Sequence, residues 1–484
     1  MTENSTRSSR LRLRPREHRA LLLIGDLLAS ITSIIGAVYT WRLYSWYTLI
    51  AAGISPEKAT KFLPRYFQVP LWFYLLPFIW LLLLIDMYDP HSAANKRKTL
   101  RGIAIAAFIG MVVYSLVFIT LKEPSSLPRI GVGAFLMIAS ILTMGWRFFY
   151  IRLYKSTGFM RRVAVVGAGK AGRTLVETYK NLNPLPFNLV GFFDDDPKKI
   201  GKNIEGYPIL CGSDQLLRVV DDKKISDLVV AITGEMQGRT FQILLDAQER
   251  GVEVTRMPTI YEEMVGRVPV HHLESDWVIR SFVDQARTSG FYSLGKRLLD
   301  IIGALIGLGV FFAILPFASL ATLLDTGLPI FYAQTRLGKG GKTFRIFKFR
   351  TMHKDAEEDG KAHLAEEDDP RVTRVGNFMR AVRLDEFPQF FNVLKGEMSL
   401  VGPRAERPEL VAEFQKQIPF YRARLMVKPG ITGWAQINYG YVSTLHETSV
   451  KLEFDLFYIK HRTMMMDILI ILRTIGTVFS GRGR

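Results

Sequence analysis

A single cysteine, Cys211, stands in a chain of 484 residues. It rules out an intramolecular disulfide and a cysteine-based zinc site, and it places the soluble parts in a reducing compartment. Histidine is scarce too, with eight copies. The one tempting metal pattern, His446-Glu447, fails because Val450 stands where a second histidine is required. No Ser/His/Asp set, internal repeat or low-complexity tract is visible. Acidic residues are the minority, 45 against 63 basic ones, for a net charge of +18. Such an excess fits either nucleic acid or an anionic lipid surface. No aromatic-basic nucleic-acid module is present, and the long apolar runs decide for the membrane, so no nucleic-acid partner is expected. Most Trp and Tyr residues lie at the edges of those runs, where interfacial belts form.

What is present falls into three parts, for which length alone allows about three domains. A basic tail over residues 1–19 carries Arg7, Arg10, Arg12, Arg14, Arg16 and Arg19. The run behind it has no small-residue cleavage site, so it reads as an uncleaved first helix. Four spans are expected over residues 20–150: Ala20–Tyr39, Pro70–Ile85, Gly102–Leu121 and Gly131–Phe149. The second is short for a bilayer of roughly 30 Å. The tail, Lys96-Arg97-Lys98 and the Arg147-to-Arg162 exit are the strongest basic clusters, which puts both ends of this helical bundle in the cytoplasm. Arg42, Lys58, Lys61 and Arg65 run against that pattern. Asp26 lies inside the first span and reads as the partner of nearby Arg19.

After a linker over 151–162, residues 163–288 read as an α/β Rossmann-like domain. VAVVGAGKAG gives strand, turn and helix, with Gly167, Gly169 and Gly172 in the G-x-G-x-x-G spacing. LVGFFDDD ends in Asp194, Asp195 and Asp196 at about the distance of a ribose-binding acid. DLVVAIT and VEVTRMP supply later strands with the FQILLDAQERG helix between them, so a parallel doubly wound sheet is expected. The three glycines either hold a nucleotide or serve tight strand–helix packing with nothing bound. No Tyr-x-x-x-Lys pair follows at a useful place, which speaks against a dehydratase. Arg287, Thr288, Ser289 and Gly290 read as a linker.

The run from Ser293 to Pro329 is apolar enough to span, but Pro316 sits within it. Lys296 and Arg297 on one flank and Asp325 on the other fit a single interface. A re-entrant membrane helix over 289–329 is therefore expected, with a small, mostly helical α/β catalytic domain over 330–484 on its cytoplasmic side. The turn GGKT within FYAQTRLGKGGKTFRIFKFRTM is no P-loop, because Arg336 stands where the pattern needs its first glycine and a strand follows. Gln334, Arg336, Lys348 and Arg350 read as groups gathered around a diphosphate. The acidic tract Glu357–Asp369 reads as a solvated loop. Asp385 and Glu386 lie at a helix start, since Pro388 is tolerated only in a first turn. That position favours an ionised carboxylate and offers N–H groups to a phosphate. An isolated acid pair there reads first as simple capping; the alternative is a nucleophile beside a Mg²⁺ ligand. Two mixed segments, ELVAEFQKQIPFYRARLMV and LEFDLFYIKHRTMMMDILIILRTIGTVF, read as interfacial helices.

The block RLDEFPQFFNVLKGEMSLVGPR, with FRIFKFRTM upstream and KPGITGWAQINYG downstream, resembles the bacterial sugar transferases, the monotopic phosphoglycosyl transferases. The resemblance covers about the last 190 residues. It implies transfer of sugar-1-phosphate from a UDP-sugar, with glucose or galactose as the leading candidates, to undecaprenyl phosphate, beginning an exopolysaccharide, capsule or O-antigen repeat. Asp385 is then the nucleophile and Glu386 a ligand for Mg²⁺, while Lys348, Arg350 and Arg404 steady the phosphates. Arg407 and Glu409 are second candidates. Two departures stand out: Leu315-Pro316 replaces the family's Ser-Pro, and Ala405 replaces the last Pro of Gly-Pro-Arg-Pro. Trp434 serves either packing or recognition. The layout implies a multi-pass protein of the bacterial inner membrane, working as a homodimer on the lipid bilayer. The competing readings are a membrane-tethered nucleotide-sugar dehydratase or oxidoreductase and a non-catalytic scaffold.

Overall fold

The computed structural model describes residues 15–88, 93–120, 128–154, 160–273, 290–353, 369–440 and 444–479. The tail arginines up to Arg14, the linker at Arg287–Ser289 and the acidic tract before Asp369 lie outside these residues. The chain divides into two compact units, one of residues 1–229 with 238–254 and one of 230–237 with 255–484.

In the first unit, α1 (Pro15–Ala51), α2 (Pro56–Tyr66), α3 (Leu76–Leu83), α4 (Lys96–Thr120) and α5 (Arg129–Tyr154) form the helical region. Three of these, α1, α4 and α5, are long and apolar enough to cross a membrane. The expected second span is shorter than drawn: a five-residue 3-10 turn, Leu71–Leu75, runs into the eight residues of α3. At 1.5–2.0 Å per residue that is about 22 Å, less than the hydrocarbon thickness. Asp26 pairs with Arg147 of α5 at 2.5 Å, not with Arg19. Arg147 also donates to the Met87 carbonyl at 2.7 Å, and both side chains are buried, so the pair is a satisfied interhelical lock.

Six strands follow in the order β3-β4-β2-β1-β5-β6. They are β1 (Arg162–Val166), β2 (Asn188–Phe193), β3 (Asn203–Ile204), β4 (Tyr207–Cys211), β5 (Asp227–Val230) and β6 (Glu253–Arg256), with helices α6 (Lys170–Lys180), α7 (Leu216–Asp222) and α8 (Gly238–Glu249). β1, β2 and β4 pair in parallel, but the two-residue β3 lies antiparallel on β4, so the sheet is mixed at that edge. β1 and β5 are almost wholly buried, as their unbroken Val, Ala and Leu runs demand.

The second unit takes in α9 (Met257–Val265): residues 255–273 contact later residues of the unit, Val268 N–H donating to Glu453 O and Lys460 pairing with Glu262, although the sequence groups them with the Rossmann-like domain. It continues with α10 (Gly290–Thr326), β7 (Phe331–Leu337), β8 (Thr343–Phe349), α11 (Arg374–Ala381), α12 (Phe390–Lys395), β9 (Ser399–Val401), α13 (Pro408–Gln417), β10 (Gly430–Thr432), α14 (Trp434–Asn438), α15 (Leu445–His461) and α16 (Met464–Phe479). β7 and β8 form an antiparallel hairpin, and β9 and β10 pair in parallel. α15 is no interfacial helix: Leu452, Leu456, Tyr458 and Ile459 belong to the core. Its charged residues Lys451, Asp455 and Lys460 are spent on partners inside the unit. Asp467, in the segment read as interfacial, is likewise buried and accepts from Tyr292, Lys296 and Tyr458.

α10 is one 37-residue helix with Pro316 inside it. Near its start, Arg297 donates to the Val393 and Leu394 carbonyls, both at 2.8 Å, closing the end of α12. Asp300 accepts from Ser399 Oγ and the Leu400 N–H. Gly307 leaves room for the Phe390 ring, which a Cβ would meet at 2.5 Å. Further along, Leu308, Phe311 and Ala318 pack with Phe349 and Met379. The rest of the helix surface carries exposed apolar side chains, among them Leu298, Ile306, Phe317 and Leu324.

Candidate active site

The acid pair lies on a 3-10 turn, Leu384–Gln389, that leads into α12. Arg383 precedes it in the left-handed region, with φ 55° and ψ 22°, and so bends the chain into the turn. Both carboxylates are buried, each 6% exposed. Lys348, on β8, donates to Glu386 Oε1 at 2.8 Å and stands 3.9 Å from Asp385 Oδ2. Arg404, in the loop after β9, donates to the same Oε1 at 2.6 Å. Arg383 Nη1 lies 3.8 Å from Oε2. Arg380 stands by with its Nε on Thr351 Oγ1 at 3.0 Å.

This arrangement separates the two acids electrostatically. Burial pushes Asp385 above the ordinary carboxylate range, with Lys348 as the main opposing charge and Glu386 adding to the rise. Burial would raise Glu386 as well, but Arg404, Lys348 and Arg383 outweigh it and hold Glu386 well below its usual range. The helix start therefore does not by itself keep Asp385 ionised: its short turn offers little against desolvation. One acid is fixed as an anion, and its neighbour is the more basic and more nucleophilic of the two.

The Arg404 loop is held by its backbone. Four successive carbonyls each take a donor from another segment. Pro403 O accepts from Gly430 N at 2.9 Å, Arg404 O from Arg424 at 3.1 Å, Ala405 O from Arg336 at 3.2 Å and Glu406 O from Leu337 N at 3.0 Å. Arg424 is in turn gripped by Asp455 at 2.9 Å and Tyr421 Oη at 2.7 Å. Glu406 takes Lys451 at 2.8 Å. The rigidity expected to be lost with Ala405 is thus supplied from outside the loop.

Of the expected phosphate ligands, Lys348 and Arg404 meet at the acid pair. Arg350 brings a buried Nη1 that has no hydrogen-bond partner among the described residues. Arg336 is elsewhere: it clamps Ala405 O and faces Glu406 at 3.8 Å. Gln334 accepts from Arg336. Glu409 is exposed and paired with Arg407 at 3.5 Å. Trp434 is a packing residue, with Nε1 on Gly266 O at 2.8 Å and its ring stacked on Phe457. Sequence reasoning missed Arg380 and left Arg383 without a role. It read the segment that holds Arg424 as an interfacial helix, although that side chain is 4% exposed. Two arginines, Arg380 and Arg383, within five residues ahead of Asp385-Glu386 were the available signal for the first two.

A Mg²⁺ ion takes one or two carboxylates and completes its shell with phosphate oxygens and water. The acid pair fits that pattern: among the described residues the ion pair recorded for Glu386 Oε2 is with Arg383, at 3.8 Å, and Asp385 is adjacent. No cluster of three or more candidate ligands occurs among the described residues.

In the Rossmann-like domain, Gly167 takes φ +107°, and a Cβ on Gly172 would collide with the Gly167 carbonyl. The Ala168 N–H between them donates to Asp194 Oδ2 at 2.8 Å, and Lys199 pairs with that same oxygen at 3.1 Å. Asp195 accepts from Ser213 N and Thr240 Oγ1. Gly167 is accounted for by its backbone angle and Gly172 by close packing, whereas a Cβ on Gly169 would meet nothing within 4 Å; Asp194 and Asp195 are engaged in local bonds.

Residues 291–481 match the bacterial sugar transferase family model, and residues 84–258 match a CoA-binding domain. A UDP-N-acetylgalactosamine-undecaprenyl-phosphate N-acetylgalactosaminephosphotransferase of Aeromonas hydrophila is 40% identical over 48% of this chain and 53% of its own length, so the match spans about half of that relative. A UDP-glucose:undecaprenyl-phosphate glucose-1-phosphate transferase of Escherichia coli strain K12 is 35% identical, over 65% of this chain and 67% of its own. The galactosyl transferase CpsE of Streptococcus agalactiae is 30% identical over 83% of this chain and 91% of its own. The chain belongs to the bacterial sugar transferase family, as a membrane protein of the polyprenyl-phosphate hexose-1-phosphate transferase type.

Proposed function

We propose that this chain moves sugar-1-phosphate from a UDP-sugar, with glucose or galactose the leading candidates, to undecaprenyl phosphate, releasing UMP and leaving a lipid diphosphosugar. The observation that carries this reading is the divided acid pair, one carboxylate held ionised by Lys348 and Arg404 and its neighbour raised by burial. An Asp385 oxygen attacks the phosphorus that bears the sugar, and the bond to the UMP oxygen breaks. A phosphate oxygen of the lipid then attacks the same phosphorus and the Asp385 ester bond breaks, regenerating the carboxylate. Lys348, Arg404 and Arg350 stabilise the charge spread over the transferring oxygens. When bound, Mg²⁺ at Glu386 neutralises the diphosphate so that an anionic nucleophile can approach.

The cytoplasmic, re-entrant placement of α10 is part of the proposal. Arg297 touches α12, and Thr322 Oγ1 reaches Met379 of α11 at 3.8 Å. These points are about 38 Å apart along the helix, more than the hydrocarbon thickness. Were α10 a plain crossing, α11 and α12, parts of one small unit, would lie on opposite sides of the bilayer. The inner membrane of a bacterium and a homodimer complete the reading.

The test is incubation of the protein with labelled UDP-sugars, Mg²⁺ and undecaprenyl phosphate. We expect UMP, labelled lipid and, without acceptor, one labelled sugar phosphate per enzyme; Asp385→Asn abolishes all three. Full transfer by Asp385→Asn defeats the covalent mechanism, and a bound nicotinamide would favour the dehydratase reading instead.

A further inference from the structure

The glycine–lysine turn between β7 and β8 has no share in the acid-pair site. Gly340 and Gly341, at φ +70° and +79°, make the reversal tight and leave Lys339 and Lys342 exposed. Arg422, also exposed, brings Nη2 to 3.8 Å from the place a Cβ on Gly341 would occupy. Beside Gly396, Lys428 Nζ and the Arg297 guanidinium carbon converge on one point, 3.4 and 3.7 Å from the place of a Cβ there. Exposed Lys395 is the preceding residue in the chain.

The acids that share this region are already committed. Asp300 accepts from Ser399 and Leu400, and Glu397 accepts from Asn392. Lys339, Lys342, Lys395, Arg422 and Lys428 have no ion-pair partner among the described residues. Lys428 is held below the usual lysine range first by burial and then by Arg297, with Lys339 and Lys296 adding to the effect against Asp300. Like charges kept this close without a counter-ion form a surface that gains by receiving an anion.

The chemistry of that anion follows from what adjoins the cluster. Arg297 is part of α10, and on the first turns of α10 Phe291, Leu294 and Leu298 are apolar and 90%, 70% and 58% exposed. Cations and an uncovered hydrocarbon-seeking surface therefore meet along one helix. We propose that Lys339 and Lys428, flanked by Arg297, Lys395 and Arg422, bind the headgroup phosphate of an anionic phospholipid whose acyl chains lie against Leu294 and Leu298. The site is separate from the acid pair and depends only on α10 lying at the membrane. It gives the catalytic unit a preferred lipid composition.

The full-length protein in zwitterionic detergent is titrated with phosphatidylglycerol or phosphatidylcholine, and retained lipid is counted by native mass spectrometry. Phosphatidylglycerol is expected to be held at least tenfold more tightly. Each lost cation should weaken it about fivefold, so that Lys339→Gln with Lys428→Gln weakens it roughly 25-fold, while Lys223→Gln on the Rossmann-like domain changes nothing. Thermal unfolding of the double variant checks its fold; if it fails, the exposed Lys339→Gln alone must show the fivefold loss. Equal retention of the two lipids, an unchanged double variant, or displacement of the lipid by an excess of inorganic phosphate each overturns the proposal, the last by making this a free-phosphate site. None of these outcomes bears on sugar transfer.

Discussion

Removing Lys348 should raise the pH at which the first half-reaction loses its nucleophile. Lys348 Nζ stands 3.9 Å from Asp385 Oδ2 and is the main charge opposing the effect of burial on that carboxylate. At an effective dielectric of about 20, a unit charge at that distance is worth roughly 4 kcal/mol to the ionised form, before water or Arg380 moves in to compensate. Lys348→Met takes this away. A carboxylate raised above its ordinary range is protonated as the pH falls through its folded value, and only the ionised form attacks. The acid limb of UMP release must therefore move to higher pH in the variant. Glu386→Gln, which removes a like charge, must move it the other way in whatever activity remains. The assay is a rapid-quench burst of UMP from UDP-sugar without lipid acceptor, followed across the pH range at saturating substrate. Acid limbs that coincide in wild type and Lys348→Met would mean that the limb does not report Asp385, and the division of roles within the acid pair would fall.

Arg336→Met should lower stability by about 2 kcal/mol through loss of a charge-assisted bond to Ala405 O, with little effect on the KM for UDP-sugar. A large rise in KM at unchanged stability would instead put the guanidinium on the diphosphate. Glu453, beside Arg267 at 3.4 Å, is pushed up to about 7 by burial. Its folded value lies above the unfolded one, so its stabilising effect is complete below about 4.5 and is lost as the pH rises through 7. At about 1.4 kcal/mol per unit this is on the order of 3 kcal/mol, and Glu453→Gln should make thermal unfolding less dependent on pH across that window. Equal pH dependence in both proteins would remove Glu453 as its source.

The acid pair, Lys348 and Arg404 were readable because they lie in short contiguous blocks whose residue types admit few other uses. The strands β1, β2 and β5 were readable because buried strands leave apolar runs of Val, Leu and Phe. The edge strand β3 was not, since two residues leave no period to detect. Arg336 and Arg424 were misjudged for a common reason. A cation in a sequence looks the same whether it faces phosphate, lipid or a buried carbonyl, and only the folded chain brings Glu406, Asp455 and the 403–406 carbonyls to them. Asp26 met a helix more than a hundred residues away rather than the arginine seven positions before it, because pairing across helices satisfies a membrane-buried charge better than a neighbour on the same helix can.

Arg297, Asp300 and Gly307 make α10 more than a tether. Cutting the protein so that it starts at residue 330 would strip the Val393 and Leu394 carbonyls of their donor, release the Ser399 hydroxyl and lay bare the Phe390 ring, all within reach of Asp385 by a few residues of chain. A water-soluble version obtained by deletion would be missing an inner wall. Detergents or nanodiscs that respect the helix are therefore a condition for measuring the enzyme at all, and compounds that pry this helix away would disable catalysis without ever entering the sugar site.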